Sequence, residues 1–355
     1  MTDETLLGKL RREFVPRIPK SLEHLEKLKF ETGEKTKSIS NQKEISGLFP
    51  LTYGQPLLHL AHSDEEKSLE HSPPPIAYKN TKKKKKKKKK KTNSGQASGG
   101  HNVITGLFDA LKHLNGESTM IGFLDGPIGV IQNKYIKIDK NVVDEYRNTG
   151  GFDMIRSGRD KIETSQQQES ALKSVVSHDL NGLVIIGGDD SNTNAAVLAE
   201  YFASQKCKCV PKTIDGDLQN EYIEMSFGFD TAVKTYSEMI SNICRDAKSA
   251  AKSWHFIKLM GRDASHVTLD CALQTHVNIT LIGEEVEKQD LLLHDIADHM
   301  ADVIATRQAK GKDYGIVLIP EGIISFIPSM KALIGELSSL LKKGSSHLKA
   351  LDERP

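Results

Sequence analysis

From residue 93 onward, short apolar runs alternate with stretches of helical periodicity. Leu183-Val184-Ile185-Ile186 is fully apolar and stops at Gly187-Gly188. That is how a buried parallel strand reads when its C-terminal end opens into a loop. Residues 255–260 and 315–319 read the same way, and Met120-Ile121-Gly122-Phe123 reads as a shorter strand. Ile104, Leu107, Phe108 and Leu111 fall at i, i+3, i+4 and i+7, which predicts one helical face. Further helices are predicted over 194–202, 231–243 and 292–308. Strands alternating with helices predict an α/β fold with a mostly parallel sheet, whose ligands sit beyond the strands' C-terminal ends. The first 92 residues have another texture. Leu22, Leu25, Leu28 and Phe30 predict a short amphipathic helix, Pro73, Pro74 and Pro75 disfavour any helix near them, and Lys82 to Lys91 is an unbroken lysine run.

That run changes how the charge is read. The chain of 355 residues carries a formal net charge of +2, so removing these ten lysines leaves a mildly acidic remainder. The tract reads as a solvated, self-repelling linker, with RNA or an acidic surface as the alternative. One tract is too narrow a basis for a general nucleic-acid function. Four dispersed cysteines (Cys207, Cys209, Cys244 and Cys271) lack zinc-finger spacing and suit reduced thiols in a cytosolic protein. Neither a signal peptide nor an apolar run of membrane-spanning length is visible, so a membrane role is not expected.

Four motifs follow strand-like runs. Gly187-Gly188-Asp189-Asp190-Ser191-Asn192-Thr193-Asn194 lies between a strand and a helix. Its glycines let backbone approach a phosphate, and a carboxylate there can hold Mg²⁺ bridging phosphate oxygens. The same string also reads as a plain Asp/Asn/Ser helix cap. In Pro211-Lys212-Thr213-Ile214-Asp215-Gly216-Asp217, Lys212 offers a point charge to phosphate. Asp215 could take a proton from an attacking hydroxyl, with Asp217 tuning it; an acidic turn around Gly216 is the alternative. Met260-Gly261-Arg262 offers an arginine for a sugar phosphate or a transition-state charge. Ile319-Pro320-Glu321-Gly322 offers a carboxylate for sugar hydroxyls. Either of these last two is also an ordinary turn after a strand.

Together, in this order, the strings GGDDSNTN, PKTIDGD, MGR-x-ASH and IPEG closely resemble the phosphofructokinase family. YRNTGGFDMIRSGRDKIET and CALQTH-x-NIT-x-IGEE extend the match, which runs from about Gly95 to the C-terminus. The resemblance implies two Rossmann-like three-layer α/β/α domains, the second incomplete. They would occupy 93–245 and 246–355, behind a largely disordered extension at 1–92. It also implies Mg²⁺-dependent phosphoryl transfer to the 1-hydroxyl of fructose 6-phosphate in the cytosol, by a homo- or hetero-oligomer. ATP-using members have glycine at the positions of Asp190 and Lys212. Asp190 would repel the α-phosphate of ATP, and Lys212 would compensate pyrophosphate, so pyrophosphate is the implied donor. By the same resemblance Asp215 is the proton acceptor and Asp189 the Mg²⁺ residue. Thr213, Ile214, Met260, Gly261, Arg262 and Glu321 would contact the sugar phosphate. Gly95, Arg159, Gly188, Ser191 and Lys212 would hold pyrophosphate. Lys252 and Ser253 fall where the family has a lysine–tyrosine pair that reaches a neighbouring subunit's substrate.

The chain departs from the family pattern in several places. The family's opening apolar strand is replaced by lysines, which are expected not to form a buried central strand, because burying unpaired charge is costly. Ser94 stands at a glycine position of the loop, and Cys207-Lys208-Cys209-Val210 is a short lead into Pro211. The chain stops at Pro355, whereas long-branch relatives continue into a further sugar-phosphate segment. These departures leave room for a non-catalytic or partial subunit that associates with a complete paralogue. A different sugar or nucleotide kinase with a GGD loop is a third reading, disfavoured by TIDGD and MGR.

Overall fold

A computed structural model describes residues 5–15, 17, 28–38, 41–62, 88–93, 97–158, 160–202, 207–211, 213–216, 223 and 225–342. The chain divides into two compact units, 1–212 and 213–355. The boundary lies ahead of the one expected at 245/246. The helix that runs across that point, Phe229–Ala250, belongs with the second unit, because its Phe229, Val233, Ile240 and Ala247 pack with Leu259, Val267, Cys271, Ile316 and Leu318.

In the first unit the described elements begin with helix α1 (Leu6–Glu13), strand β1 (Leu28–Lys35), helix α2 (Gln42–Leu48) and strand β2 (Pro56–His62). β1 and β2 pair antiparallel, Leu28 opposite His62 and Phe30 opposite Leu60. This corrects the helix expected through Leu28 and Phe30. Leu28, Lys29, Phe30 and Glu31 alternate apolar with charged, a period of two that suits a strand as well as a sparse helical stripe. Leu22 and Leu25 lie outside the described residues. The described stretches of 1–92, a segment expected to be largely disordered, thus carry regular structure.

The sheet proper is formed by β3 (Lys88–Asn93), β4 (Thr119–Phe123), β5 (Tyr135–Ile138), β6 (Leu180–Gly187) and β7 (Cys207–Pro211), in the order β5-β4-β3-β6-β7. All neighbours are parallel except β4 and β5. β3 is central, so the expectation that the lysine run leaves this place empty is corrected. The backbone of Lys88–Lys91 pairs with Thr119–Gly122 on one side, and Lys89–Asn93 pairs with β6 on the other. The physical reason is that a ladder is made by N–H and C=O groups, which every non-proline residue carries whatever its side chain.

Helices α3 (Gly100–Leu114), α4 (Pro127–Ile131), α5 (Lys140–Tyr146), α6 (Ser165–Ser177) and α7 (Asp189–Tyr201) complete the unit. α3 buries Ile104, Phe108 and Leu111, as its periodicity predicts. α6 opens with a capping box. The Thr164 hydroxyl accepts from Gln167 N, and Gln167 Oε1 accepts from Thr164 N. Ile121, Phe123, Leu183 and Ile185 meet Ala171 and Val175 of α6 and Ala195 and Leu198 of α7 in one apolar core.

The second unit contains α8 (Phe229–Ala250), β8 (Ser253–Leu259), α9 (His266–Thr275), β9 (Ile279–Thr280), α10 (Gly283–Lys288), α11 (Leu293–Ala309), β10 (Tyr314–Pro320), α12 (Ile323–Phe326) and α13 (Pro328–Lys342). Its three strands are parallel in the order β8-β10-β9. β10 is inner and buried on both faces. Ile316 and Leu318 join the α8/α9 core, while Val317 joins Ile279, Val286, Ile296 and Ile327 in the other. Among the described residues, no helix is long and apolar enough to cross a membrane.

Candidate active site

The first unit places a phosphate-type loop where β6 ends. Gly187 closes the strand, Gly188 caps α7, and Asp189 and Asp190 form the helix's first turn. Two carboxylates there favour the helix macrodipole. Asn192 fixes the turn, its Nδ2 donating to Gly187 O at 2.9 Å and Gly188 O at 2.6 Å. Asp190 has a partner that sequence reading missed: Lys161 Nζ donates to its Oδ1 at 2.9 Å. That hydrogen bond, and the Asp190 charge behind it, hold the Lys161 ammonium above its ordinary value, with smaller help from Glu163 and Asp189. Asn194, one turn along α7, holds the next residue of the same segment. Its Nδ2 donates to Ile162 O at 2.8 Å and its Oδ1 accepts from Ile162 N at 3.4 Å. The only sequence signal was the KIET string itself, because pairing across such a separation has no local periodicity.

The end of the glycine-rich loop enters α3 with Gly99 at φ +105°, a conformation that favours glycine. Gly99 N donates to Gly150 O at 2.8 Å and His101 N to Gly151 O at 2.9 Å, joining this entry to the 149–154 loop. Gly95 and Arg159, expected at the phosphate, lie outside the described residues, as do Lys212 and Asp217.

The second unit gathers the other motifs. Thr213 N donates to Ser226 Oγ at 3.1 Å, and Ser226 returns a bond to Thr213 O at 2.6 Å. Asp215 N donates to Thr213 Oγ1 at 3.0 Å, a short side-chain turn that sets Asp215 beside Ile214. Gly216 has φ +77° and packs close to Phe229 and His266, so this turn lies against the starts of α8 and α9. Tyr236 links Asp215 to the next motif. Burial, then the Asp215 charge, push its hydroxyl above the ordinary value, and that hydroxyl lies 3.3 Å from Met260 Sδ. Tyr236 was also missed by sequence reading, which predicted only a helix over 231–243.

The β8 and β10 loops are stitched together. Glu321 N donates to Leu259 O at 2.8 Å and Gly322 N to Gly261 O at 2.9 Å. Gly261 sits at φ +128°, and a Cβ on Gly322 would collide with the Arg262 carbonyl. Met260, Gly261, Arg262 and Glu321 therefore lie together at the strands' C-terminal ends. Behind them, Glu284 Oε1 accepts from Ser265 N at 2.8 Å, while Ser265 Oγ accepts from Gly283 N at 2.9 Å. Lys252 and Ser253 are not brought to this cluster. They enter β8 at its opposite end, a strand length of about 20 Å from Leu259.

The Asp189 carboxylate is the candidate cation donor, while Asp190 is engaged by Lys161. Among the described residues no three His, Cys, Asp or Glu side chains gather as a metal cluster. A hard carboxylate with few other protein ligands fits Mg²⁺, which keeps waters and takes phosphate oxygens. It does not make a self-sufficient protein cage.

A sequence model described as Phosphofructokinase matches residues 91–350. With that span and this parallel-sheet fold, the chain belongs to the phosphofructokinase family. The chain is 49% identical over 346 residues to the pyrophosphate--fructose 6-phosphate 1-phosphotransferase of Porphyromonas gingivalis, covering 96% of this chain and 60% of that protein. It is 48% identical over 318 residues to the subunit beta 2 of that name from Arabidopsis thaliana, covering 88% of this chain and 54% of that one. The chain thus spans somewhat more than half the length of these curated relatives. Among solved structures, phosphofructokinase from Saccharomyces cerevisiae superposes with a TM-score of 0.57 at 18% identity, over 69% of this chain and 37% of that chain. The pyrophosphate-dependent enzyme from Nitrosospira multiformis gives 0.55 at 16%, over 68% and 66%. Both likenesses concern the fold.

Proposed function

We propose that the chain carries out Mg²⁺-dependent transfer of a phosphoryl group from pyrophosphate to the 1-hydroxyl of fructose 6-phosphate. The observation that carries this reading is the pairing of Asp190 with Lys161 at the start of α7. It puts a carboxylate and a compensating ammonium in one phosphate-type loop, within a sequence about half identical to relatives of that name. A carboxylate at this point opposes the extra phosphate of a nucleotide, Lys161 steadies that carboxylate, and Lys212 supplies the charge that compensates pyrophosphate.

In this reading Asp189 holds Mg²⁺, which when bound neutralises charge on the transferred group. Gly95, Arg159, Gly188, Ser191 and Lys212 bind pyrophosphate. Asp215, held by Thr213 and Ser226, accepts the proton of the attacking hydroxyl, with Asp217 nearby in sequence to tune it. Thr213 and Ile214 line the same acceptor. Met260, Gly261 and Arg262 take the sugar phosphate, and Glu321 accepts bonds from sugar hydroxyls. Lys252 and Ser253, at the far end of β8, serve a neighbouring subunit rather than this one. A homo- or hetero-oligomer and a cytosolic setting belong to the same proposal. The oligomer rests on relatives named as alpha and beta subunits, the compartment on four dispersed cysteines.

The test is phosphoryl transfer by the purified chain with Mg²⁺ and fructose 6-phosphate, offered pyrophosphate or ATP in parallel. Turnover with pyrophosphate alone is expected, falling by a factor of about 10²–10⁴ in Asp215→Ala. No turnover with either donor, in a sample shown to be folded, would overturn the stand-alone reading and leave a partial subunit that needs a complete paralogue.

A further inference from the structure

His101, in the first turn of α3, is 1% exposed. Its two ring nitrogens are used differently. Nε2 accepts from two backbone amides, Asp153 N at 2.9 Å and Met154 N at 3.0 Å. A ring nitrogen that accepts cannot also carry hydrogen, so the proton belongs on Nδ1. Nδ1 lies 2.6 Å from Thr149 Oγ1 and donates to it, while the Thr149 hydroxyl donates onward to Tyr146 O at 2.7 Å. The loop 149–154 therefore closes around the imidazole. It leaves no room for a side chain at Gly151, where a Cβ would stand 2.7 Å from His101 Cε1. The two backbone bonds from Gly99 and His101 to Gly150 and Gly151 fasten the same loop.

The loop then runs on. Ile155 O accepts from Asp125 N at 3.1 Å, and a few residues later Lys161 reaches Asp190 and Ile162 is held by Asn194. One segment thus spans from the start of α3 to the start of α7, the two helices that follow the glycine-bearing loops.

We propose that His101 is a positioning residue: as the neutral Nδ1–H imidazole it pins the 149–162 segment to the start of α3, and thereby sets where Lys161 meets Asp190. The effect on pyrophosphate rests on the function proposed above; the clasp itself does not.

The groups facing the ring are the Asp153 carboxylate, 3.1 Å from Nε2, the Thr149 hydroxyl, and the Tyr146 ring of α5, edge-on at 4.8 Å between centroids. Asp153 alone would favour a charged ring. Burial works the other way and outweighs it, so His101 lies below its ordinary 6.5. A lowered histidine means that the folded chain binds fewer protons than the unfolded one. Its contribution is then complete above about pH 6.5 and is lost as pH falls through the lowered value. Protonation converts Nε2 to a donor and leaves the Asp153 and Met154 amides without their acceptor.

The experiment uses the full chain, labelled with ¹⁵N-histidine, alongside His101→Gln and His101→Phe. Glutamine can offer Oε1 near the Nε2 position, whereas phenylalanine keeps a ring but offers no acceptor. In wild type the His101 signals should report the Nδ1–H tautomer, still neutral just below pH 6.5. His101→Phe should speed hydrogen exchange at Asp153 and Met154 N–H by about tenfold or more, and His101→Gln should restore most of the protection. If the chain turns over, His101→Phe should raise KM for pyrophosphate about tenfold and leave that for fructose 6-phosphate within about twofold. An Nε2–H tautomer, or equal protection of both amides in His101→Phe and wild type, would overturn the clasp. An inactive wild type would sink the function reading while these spectra still decide the clasp. If His101→Phe fails to fold, the wild-type tautomer and the His101→Gln exchange rates decide it.

Discussion

β10 and β3 are both inner strands of parallel pairings, yet they could hardly differ more in sequence. β10 reads Gly315-Ile316-Val317-Leu318-Ile319 and feeds two apolar cores, one from each face. β3 reads Lys88-Lys89-Lys90-Lys91-Thr92-Asn93 and makes ladders of comparable length to β4 and β6. The contrast separates two contributions that usually travel together. A ladder needs only peptide groups, while packing needs apolar side chains, and periodicity along a sequence reports the second alone.

The sharpest way to break this comparison is to exchange chemistries. Val317, at 0% exposure, becomes a buried unpaired charge in Val317→Lys. Unit 2 should lose about 4 kcal/mol or more, enough to unfold it, as followed by urea denaturation through Trp254, the chain's one tryptophan. At β3 the test is of the backbone: Lys90→Pro removes an N–H from a strand paired on both sides, at Ile121 and Leu183, and should cost about 3 kcal/mol, read from urea melts by circular dichroism. An unchanged midpoint in Lys90→Pro would show that β3 does not hold the sheet's ladder together.

A smaller effect concerns the loop that follows β8. Burial alone would push the Glu284 carboxyl up, but the bonds it accepts from Ser265 outweigh this and hold it below its ordinary value. Stability from this joint is therefore complete above about pH 4.5 and is lost as pH falls through the depressed value. Acid titration followed by Trp254 fluorescence should show that loss in wild type and a flatter profile in Glu284→Gln. An unchanged profile would mean that Glu284 does not hold the Arg262 loop.

The smallest effect lies at the unit 1 periphery. Glu200 of α7 accepts from Leu51 N at 2.8 Å, Thr52 N at 2.9 Å and the Thr52 hydroxyl at 2.7 Å. Glu200→Ala should speed hydrogen exchange at those two amides and leave the global melting midpoint where it was. A lowered midpoint would show that the N-terminal turn is part of the cooperative core.

In the second unit β8, β10, α8 and α11 were legible in the sequence, the two strands because they stop just ahead of Gly261 and at Pro320, while α9, β9, α10, α12 and α13 were not read. Leu183–Ile186 in the first unit was read for the same reason. Motifs attached to such strand ends (Asp189, Met260 to Arg262, Glu321) came with them, since strand ends are where chain geometry puts loops. β3 was not legible, because its side chains argue against the place its backbone takes. Nor was β1, where Leu28 and Phe30 satisfy both a period of two and a sparse helical stripe. Lys161, Tyr236 and His101 could not be found as site neighbours from pattern alone. Each acts through a partner distant in sequence, and nothing local in KIET, TYSEM or GGHN announces which partner that is.

The lysine strand carries one more implication, for how its position along the sheet is encoded. Strand register is normally written in the alternation of side chains, so that a one-residue slide exposes the error at once. Lys82 to Lys91 is a homopolymer, and sliding it by one towards β3's C-terminal end exchanges lysine for lysine at every ladder position that run supplies. The address of β3 is therefore written at its end, in Thr92 and Asn93 opposite Ile185 and Ile186. A lysine codon gained or lost upstream would leave this ladder's residue pairs unaltered.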